Sequence, residues 1–425
     1  MIKKIAVSIC LLFTLLGLAQ EGTSSPYSYY GIGEVRFKGT AETRAMGGVS
    51  IFPDSIHLNL QNPASLSSLK FTTFTLGGSY STTTLETEAQ KENAQRGSID
   101  YFAVGFPIGK KMGATFGLMP YTSVGYKIQT FGTVGELQSD RRFTGTGGIN
   151  RVFFGTAYKF TPNFSIGADV SYNFGRIETA SLEAVTGIQY ATREINGSDI
   201  GGANFSIGLM YDGKVNEKLR YFTGVTYSTE GNLRSENERE IATVQVFQTG
   251  GTAVVGDPLN VDVPNSTLSI PSKLTFGAGI GAARHWMIGA EASLQQSSNQ
   301  NNRFNRDVNS PDAQNVQFED GIRYSLGGYF IPKYTSFTSY LSRVTYRAGI
   351  RYENTGLVIR NKSIFDTGVN IGLGLPVGGT FSNINLGLEV GKRGTVYGGL
   401  VRENYANVIV GFSFNDRWFV KRKYD

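Results

Sequence analysis

The chain has 425 residues, a formal net charge of +6 and a single cysteine. Its 40 Lys and Arg are scattered among 34 acids without a basic cluster, which excludes nucleic acid as a partner. Glycine, at 54 residues, is about twice its usual share, with no collagen period and no Gly/Ser linker, so the glycines belong inside regular structure.

The first element is a secretory signal. Lys3 and Lys4 precede an apolar run from Ile5 to Leu18, followed by Ala19 and Gln20. The run is shorter than the roughly 20 residues an anchoring helix needs, so residues 1–19 are expected to be removed. Cys10 lies inside this segment, with Ser8 and Ile9 before it rather than the small residues of a lipoprotein cleavage site. Loss of Lys3 and Lys4 leaves a mature charge of +4, and disulfides and thiol catalysis are excluded. No second long apolar run follows, which excludes a helical membrane protein.

Residues 20–69 lack strand alternation and are dense in Gly, Ser, Pro and Tyr. They are too aromatic for a free tail and too long for an ordinary connection. Placed ahead of a barrel, such a segment can fold back into the lumen as a plug.

From residue 70 the dominant period is two. In "FSIGADVSYNF", Phe164, Ile166, Ala168, Val170, Tyr172 and Phe174 alternate with Ser165, Gly167, Asp169, Ser171 and Asn173. In "NINLGLEVG", Ile384, Leu386, Leu388 and Val390 alternate with Asn383, Asn385, Gly387 and Glu389. The second face is unusual for a soluble sandwich. It carries Gly, Ser, Asn and isolated charges (Asp169, Glu291, Arg347, Arg351, Glu389), as a crowded lumen would. About fourteen strand candidates begin near residues 70, 98, 112, 143, 163, 199, 218, 272, 285, 318, 343, 363, 382 and 403.

Their joints alternate between short and long. "GKK", "TPN", "GKVNE", "ARH" and "PVGG" are short; residues 86–97, 131–142, 230–271 and 298–317 are long and polar. That alternation with an even strand number is the pattern of an outer-membrane barrel with tight periplasmic turns and longer extracellular loops. The reading is therefore an all-β transmembrane antiparallel barrel of about 14 strands over residues 70–415. The last strand, "ANVIVGFSF", is aromatic-rich and suits recognition by barrel-insertion machinery. Residues 416–425 would hang from it as a basic, aromatic periplasmic tail.

The stretch "RAMGGVSIFPDSIHLNLQNPASLSSL" carries Gly47-Gly48, then Asp54, then Asn62-Pro63-Ala64 leading into the first strand. It resembles the N-terminal hatch of the FadL/TodX outer-membrane transport family. The "SPYSYYGIG" opening and "NDRWFVKRKYD" ending resemble the divergent branch found in bacteria with type IX secretion. The resemblance implies a fourteen-stranded barrel, a luminal hatch over residues 20–69, and passive movement of hydrophobic or lipid-like molecules that leave sideways through a kink in strand three. Here that strand contains Pro120, the lateral-gate candidate; a proline near the rim or at a bulge is the plainer reading.

Val244, Val246 and Phe247 are ligand-groove candidates, although their segment reads first as a hairpin extended above the membrane with Gly250-Gly251 at its turn. The inward charges read as anchors for the hatch.

Catalysis has little to work with. "DSIH" (residues 54–57) crowds its acid, hydroxyl and imidazole too closely for a triad, and no G-x-S-x-G, H-E-x-x-H or Walker A pattern occurs. Two distant histidines do not make a zinc site. No enzyme, cofactor or metal is expected. The expected partners are a hydrophobic small molecule or lipid, the surrounding outer-membrane lipid and the insertion machinery. The alternative function is a non-enzymatic barrel subunit of an outer-membrane secretion or assembly complex.

Overall fold

A bilayer offers the backbone no hydrogen-bond partner, so a chain that alternates apolar and polar residues can cross it only as a closed sheet. The computed structural model describes residues 22–247, 251–300, 315–378 and 381–418. It is a closed antiparallel barrel of fourteen strands among the described residues.

The strands are β1 (Thr72–Glu86), β2 (Lys91–Ile108), β3 (Met112–Val134), β4 (Leu137–Lys159), β5 (Phe164–Val185) and β6 (Ala191–Lys214). β7 is built from Arg220–Ser228 and Gly231–Val246. β8 is broken into Thr252–Val254, Leu259–Asp262, Ser266–Ile270 and Lys273–Ala282. There follow β9 (Trp286–Gln295), β10 (Val316–Phe318 and Gly321–Phe330), β11 (Thr345–Ile359), β12 (Lys362–Pro376), β13 (Asn383–Arg393) and β14 (Arg402–Asp416). β1 pairs with β14 from Thr72↔Asp416 to Glu86↔Arg402, which closes the ring.

The faces are inverted relative to a soluble protein. On β5, Val170 and Tyr172 are 41% and 56% exposed, whereas Ser171 and Asn173 between them are 1% and 0% exposed. The apolar side chains form the outer belt and the polar ones the lumen, as the alternation predicts. Of the five inward charges predicted from sequence, Asp169, Glu291, Arg347 and Glu389 are buried and Arg351 is half-buried.

Strand lengths differ around the ring. β3 to β6 have 22 to 24 residues, while β9 has 10 and β13 has 11. About 9–11 residues suffice to cross the hydrocarbon, so β3 to β6 rise far above it as a wall. The outer face changes character along that wall. Beyond Phe174, Arg176 faces outward and pairs with Asp199 at 2.6 Å, and Arg193 pairs with Glu240 at 2.9 Å.

This wall corrects two of the expected loops. Residues 86–97 and 131–142 are mostly strand, joined by a turn at 87–90 and a two-residue turn at Gly135-Glu136. Their many polar side chains suggest loops, but both faces of the wall meet water there, so polarity no longer marks a turn. The segment 230–271 likewise extends the wall through β7 and β8, as the hairpin reading has it. The signal call at 1–19, Gly250 and most of the tail lie outside the described residues. β14 runs on to Asp416, one residue past the expected boundary, and the Arg417 guanidinium follows it over the Phe71 and Phe381 rings at 5.6 and 5.9 Å.

Lys110 and Glu136 sit in the turns at opposite ends of β3. Cysteine at Glu136 should react with a membrane-impermeant maleimide in intact cells, and cysteine at Lys110 only after the outer membrane is permeabilised. Labelling of both in intact cells would overturn this topology.

Candidate functional site

The segment ahead of β1 occupies the lumen. Three short turns organise it. Pro26–Tyr29 is a 3₁₀ turn capped by Ser25, whose hydroxyl accepts from the Tyr27 N–H. Helix α1 (Ala41–Ala45) ends in Gly47 and Gly48, both at positive φ (68° and 97°), a backbone glycine adopts without strain. Pro63–Ser68 is a second 3₁₀ turn. Asn62 caps it by accepting from the Ala64 N–H at 3.0 Å, and its amide also donates to the Leu209 carbonyl of β6 at 3.1 Å. Asn62-Pro63-Ala64 thus opens the turn that ends at Ser68, a few residues ahead of β1. The wall is cut away to receive it: a Cβ on Gly208 would lie 2.1 Å from Asn62 Oδ1, and one on Gly113 would lie 2.0 Å from the Leu66 carbonyl oxygen. Much of the glycine surplus is clearance for this segment.

Asp54 closes a turn of its own, accepting from the Ile56 N–H at 2.9 Å while its second oxygen meets His57 Nδ1 at 2.8 Å. His57 Nε2 lies 3.7 Å from Glu42. The cluster has acid and imidazole but no hydroxyl between them, so it braces the segment. Burial opposes protonation of His57, yet the Asp54 charge and hydrogen bond, with Glu42, outweigh it and raise the imidazole above its usual pKa.

Charge fixes the segment to the wall. Arg44 meets Glu389 of β13 at 2.7 Å, and Glu389 in turn holds Arg351 of β11 at 2.9 Å. Ser50 donates its N–H to Glu291 of β9 at 2.8 Å, and Lys38 reaches Asp169 of β5 at 3.4 Å. Asn385, itself held by Arg347 at 3.0 Å, donates to Glu42 at 2.7 Å. Each of the five inward charges thus anchors the segment directly or braces a residue that does.

Between segment and wall lies a cavity of about 320 Å³. Nine of its lining residues are Lys or Arg and seven are Asp or Glu, so it is a charged chamber and not an apolar one. Above it sits a buried apolar layer: Val124, Ile149, Ile177, Ile200, Leu233 and Leu268 from β3 to β8, packed on Ile32 of the segment. This layer was missed from sequence, yet the signal is there. In β5 the outer apolar residues are even-numbered, and Ile177 breaks that parity.

Pro120 lies at a bulge in the pairing of β3 with β4, between Pro120 and Thr122. It also marks where β3 leaves β2: their pairing runs only from Ile108↔Met112 to Phe102↔Leu118. Above that point the wall has a seam, and the cavity reaches it through Met119, Pro120 and Tyr121. A two-residue strand of the luminal segment, Glu34–Val35, pairs with Ser123 and Thr122 there. The groove candidates are placed elsewhere. Val244 is buried against Ala191 and Ala242, Val246 packs on the same cluster, Phe247 is exposed, and none of the three lines the cavity. Among the described residues no cluster of metal-ligating side chains occurs.

A family model described as BamG matches residues 1–425. No curated protein matches the chain. Among solved structures, the Pseudomonas putida toluene transporter TodX is similar at 16% identity and a TM-score of 0.59, covering 91% of this chain and 100% of its own. The CymD monoaromatic hydrocarbon channel is similar at 16% identity and 0.55, covering 89% and 98%. A Pseudomonas aeruginosa FadL homologue is similar at 12% identity and 0.54, covering 90% and 98%. These likenesses establish the fold.

Glu389→Ala would remove the carboxylate that Arg44 and Arg351 share and leave Arg44 only Asp100 at 3.6 Å and Arg351 its pairs with Asp366 and Glu353, a loss of about 2 kcal/mol. Urea unfolding in detergent should show it, and an unchanged midpoint would mean that the network does not hold the segment. The His57 contribution is fully present below the usual histidine pKa and is lost as pH rises through the raised folded value. His57→Gln should flatten stability against pH from the usual histidine pKa of about 6.5 upward.

Proposed function

We propose that this chain, which belongs to the BamG family, works as a non-enzymatic barrel subunit of an outer-membrane assembly complex. The family's name points to barrel assembly, and the carrying observation is the lumen. It is filled by a segment held through buried ion pairs, and the space left beside that segment is lined by charges. A hydrocarbon entering it would strip water from ionised groups, at a cost of several kcal/mol for each ion left unpaired. A barrel so occupied serves better as a rigid wall and docking surface than as a conduit. In this reading residues 20–69 are a standing hatch, the outer belt sits in outer-membrane lipid, and the aromatic β14 is the handle for the insertion machinery.

One observation favours the second reading, a conduit for hydrophobic or lipid-like molecules: the seam at Pro120, into which the cavity opens. The toluene transporter and the monoaromatic hydrocarbon channel that share this fold lend it a precedent, at 16% identity.

Purification of the full chain from its own outer membrane in mild detergent separates the two. Mass spectrometry of proteins and bound small molecules together should find stoichiometric protein partners and no enriched hydrophobic molecule. A lone barrel carrying such a molecule would overturn the subunit reading. Pro120→Ala should leave the recovered complex unchanged; abolished uptake of hydrophobic compounds by an inserted Pro120→Ala barrel would instead support the conduit.

A further inference from the structure

Three strand edges in the tall wall lack a neighbouring strand among the described residues, and they are not alike. The upper outer edge of β8 is broken into pieces and carries Pro258, Pro264 and Pro271 with Asp257 and Asp262. The β2 edge facing the seam carries Lys91, Glu92 and Arg96. Prolines, charges and breaks are the usual protection of an exposed edge. The upper edge of β3 has none of them: "IQTFGTV" (residues 128–134) is uncharged, free of proline, rich in β-branched residues and continuous with the rest of a 23-residue strand.

The hydrogen-bonding direction of that edge follows from its turn. Val134 and Leu137 flank a two-residue turn whose first residue, Gly135, has φ +62°. The flanking pair of such a hairpin is hydrogen-bonded, so Val134 points its N–H and C=O at β4. Alternate residues Gln129, Phe131 and Thr133 then point theirs at the open side. Lower on the strand the same parity is seen in use: the Arg36 N–H donates to the Tyr121 carbonyl at 2.8 Å, and the Gly125 N–H donates to Ser28 Oγ at 3.2 Å. The edge thus already accepts an extended segment, Glu34–Val35, where the luminal segment reaches it. At Gln129, Phe131 and Thr133 no strand lies against it among the described residues, and Phe131 stands beside it 79% exposed.

We propose that the upper edge of β3 accepts one extended strand from a partner protein of the complex, continuing the pairing that Glu34–Val35 begins. The inference rests on the subunit reading above. Recognition is by backbone N–H and C=O groups at Gln129, Phe131 and Thr133, and an uncharged strand with an apolar residue against Phe131 fits the edge.

The test places p-benzoylphenylalanine at Phe131 and, separately, at Thr133 of the full chain in its native outer membrane. Irradiation should give a discrete adduct on one partner segment, with the attachment point moving by about two residues between the two sites, the period of a paired strand. With the probe at Phe131, Gln129→Pro together with Thr133→Pro removes two edge N–H groups without touching the ladder to β4, and should lower the yield about tenfold. The probe at Leu259, exposed on the β8 edge, should give no such adduct.

A second copy of this chain as the adduct, a yield indifferent to the prolines, or equal labelling at Leu259 would each overturn the proposal. Recovery of an intact complex without the Phe131 adduct would sink this inference alone. Recovery of a barrel without partners would sink the subunit reading as well.

Discussion

The hydrocarbon of a bilayer cannot solvate an amide, and nearly every feature of this fold follows from that. The chain has to return to its own first strand, so β1 and β14 are long and matched over fifteen residue pairs. The outer face has to be apolar, so polar residues are sent inward. Inward polar groups then require partners of their own, because a barrel of this width has a lumen too large for short Ser and Asn side chains to fill. The residues ahead of β1 supply those partners.

Charge and glycine divide the work of seating that segment. Glycines at 113 and 208 let its backbone approach the wall to distances no side chain would permit. Ion pairs then decide the register. Glu389 meets Arg44 from the segment and Arg351 from the wall, and Asp169 meets Lys38. Buried pairs of this kind add little net stability against an apolar alternative, but they strongly penalise a misplaced partner. Their contribution is to specify one position for a segment that has only short turns and five residues of α-helix to define its shape.

The strand order, the inverted faces and the five inward charges were legible because each depends on a local period of two. The turn at Asn62-Pro63-Ala64 was legible because its cap is also local. Strand ends were not. At residues 91–97 and 131–134 the wall stands in water, and polar residues that would signal a turn in the membrane only signal a second wet face. The apolar layer around Ile177 and Ile200 was missed for the converse reason, since apolar residues on the wrong parity read as noise until the wall is known to rise above the lipid. The pairing of Asp54 with His57 was visible as a string, but its meaning depends on Glu42, fifteen residues earlier and brought close only by the fold.

The seam and the luminal segment are one mechanical system. Glu34 belongs to the two-residue strand that pairs with β3, and its carboxylate is held by Arg393 of β13 at 2.8 Å, with Arg96 of β2 at 3.8 Å. A single residue thus ties three sides of the barrel to the strand that covers the seam. Parting the seam would pull Glu34 from Arg393, which Asp366 also grips at 3.1 Å, and would disturb the network that includes Arg351 and Glu389. The closed seam is therefore supported by charges on the far side of the lumen. At Gln129, Phe131 and Thr133 no strand lies against the edge of β3 among the described residues, so a strand added there extends the wall without displacing the luminal segment.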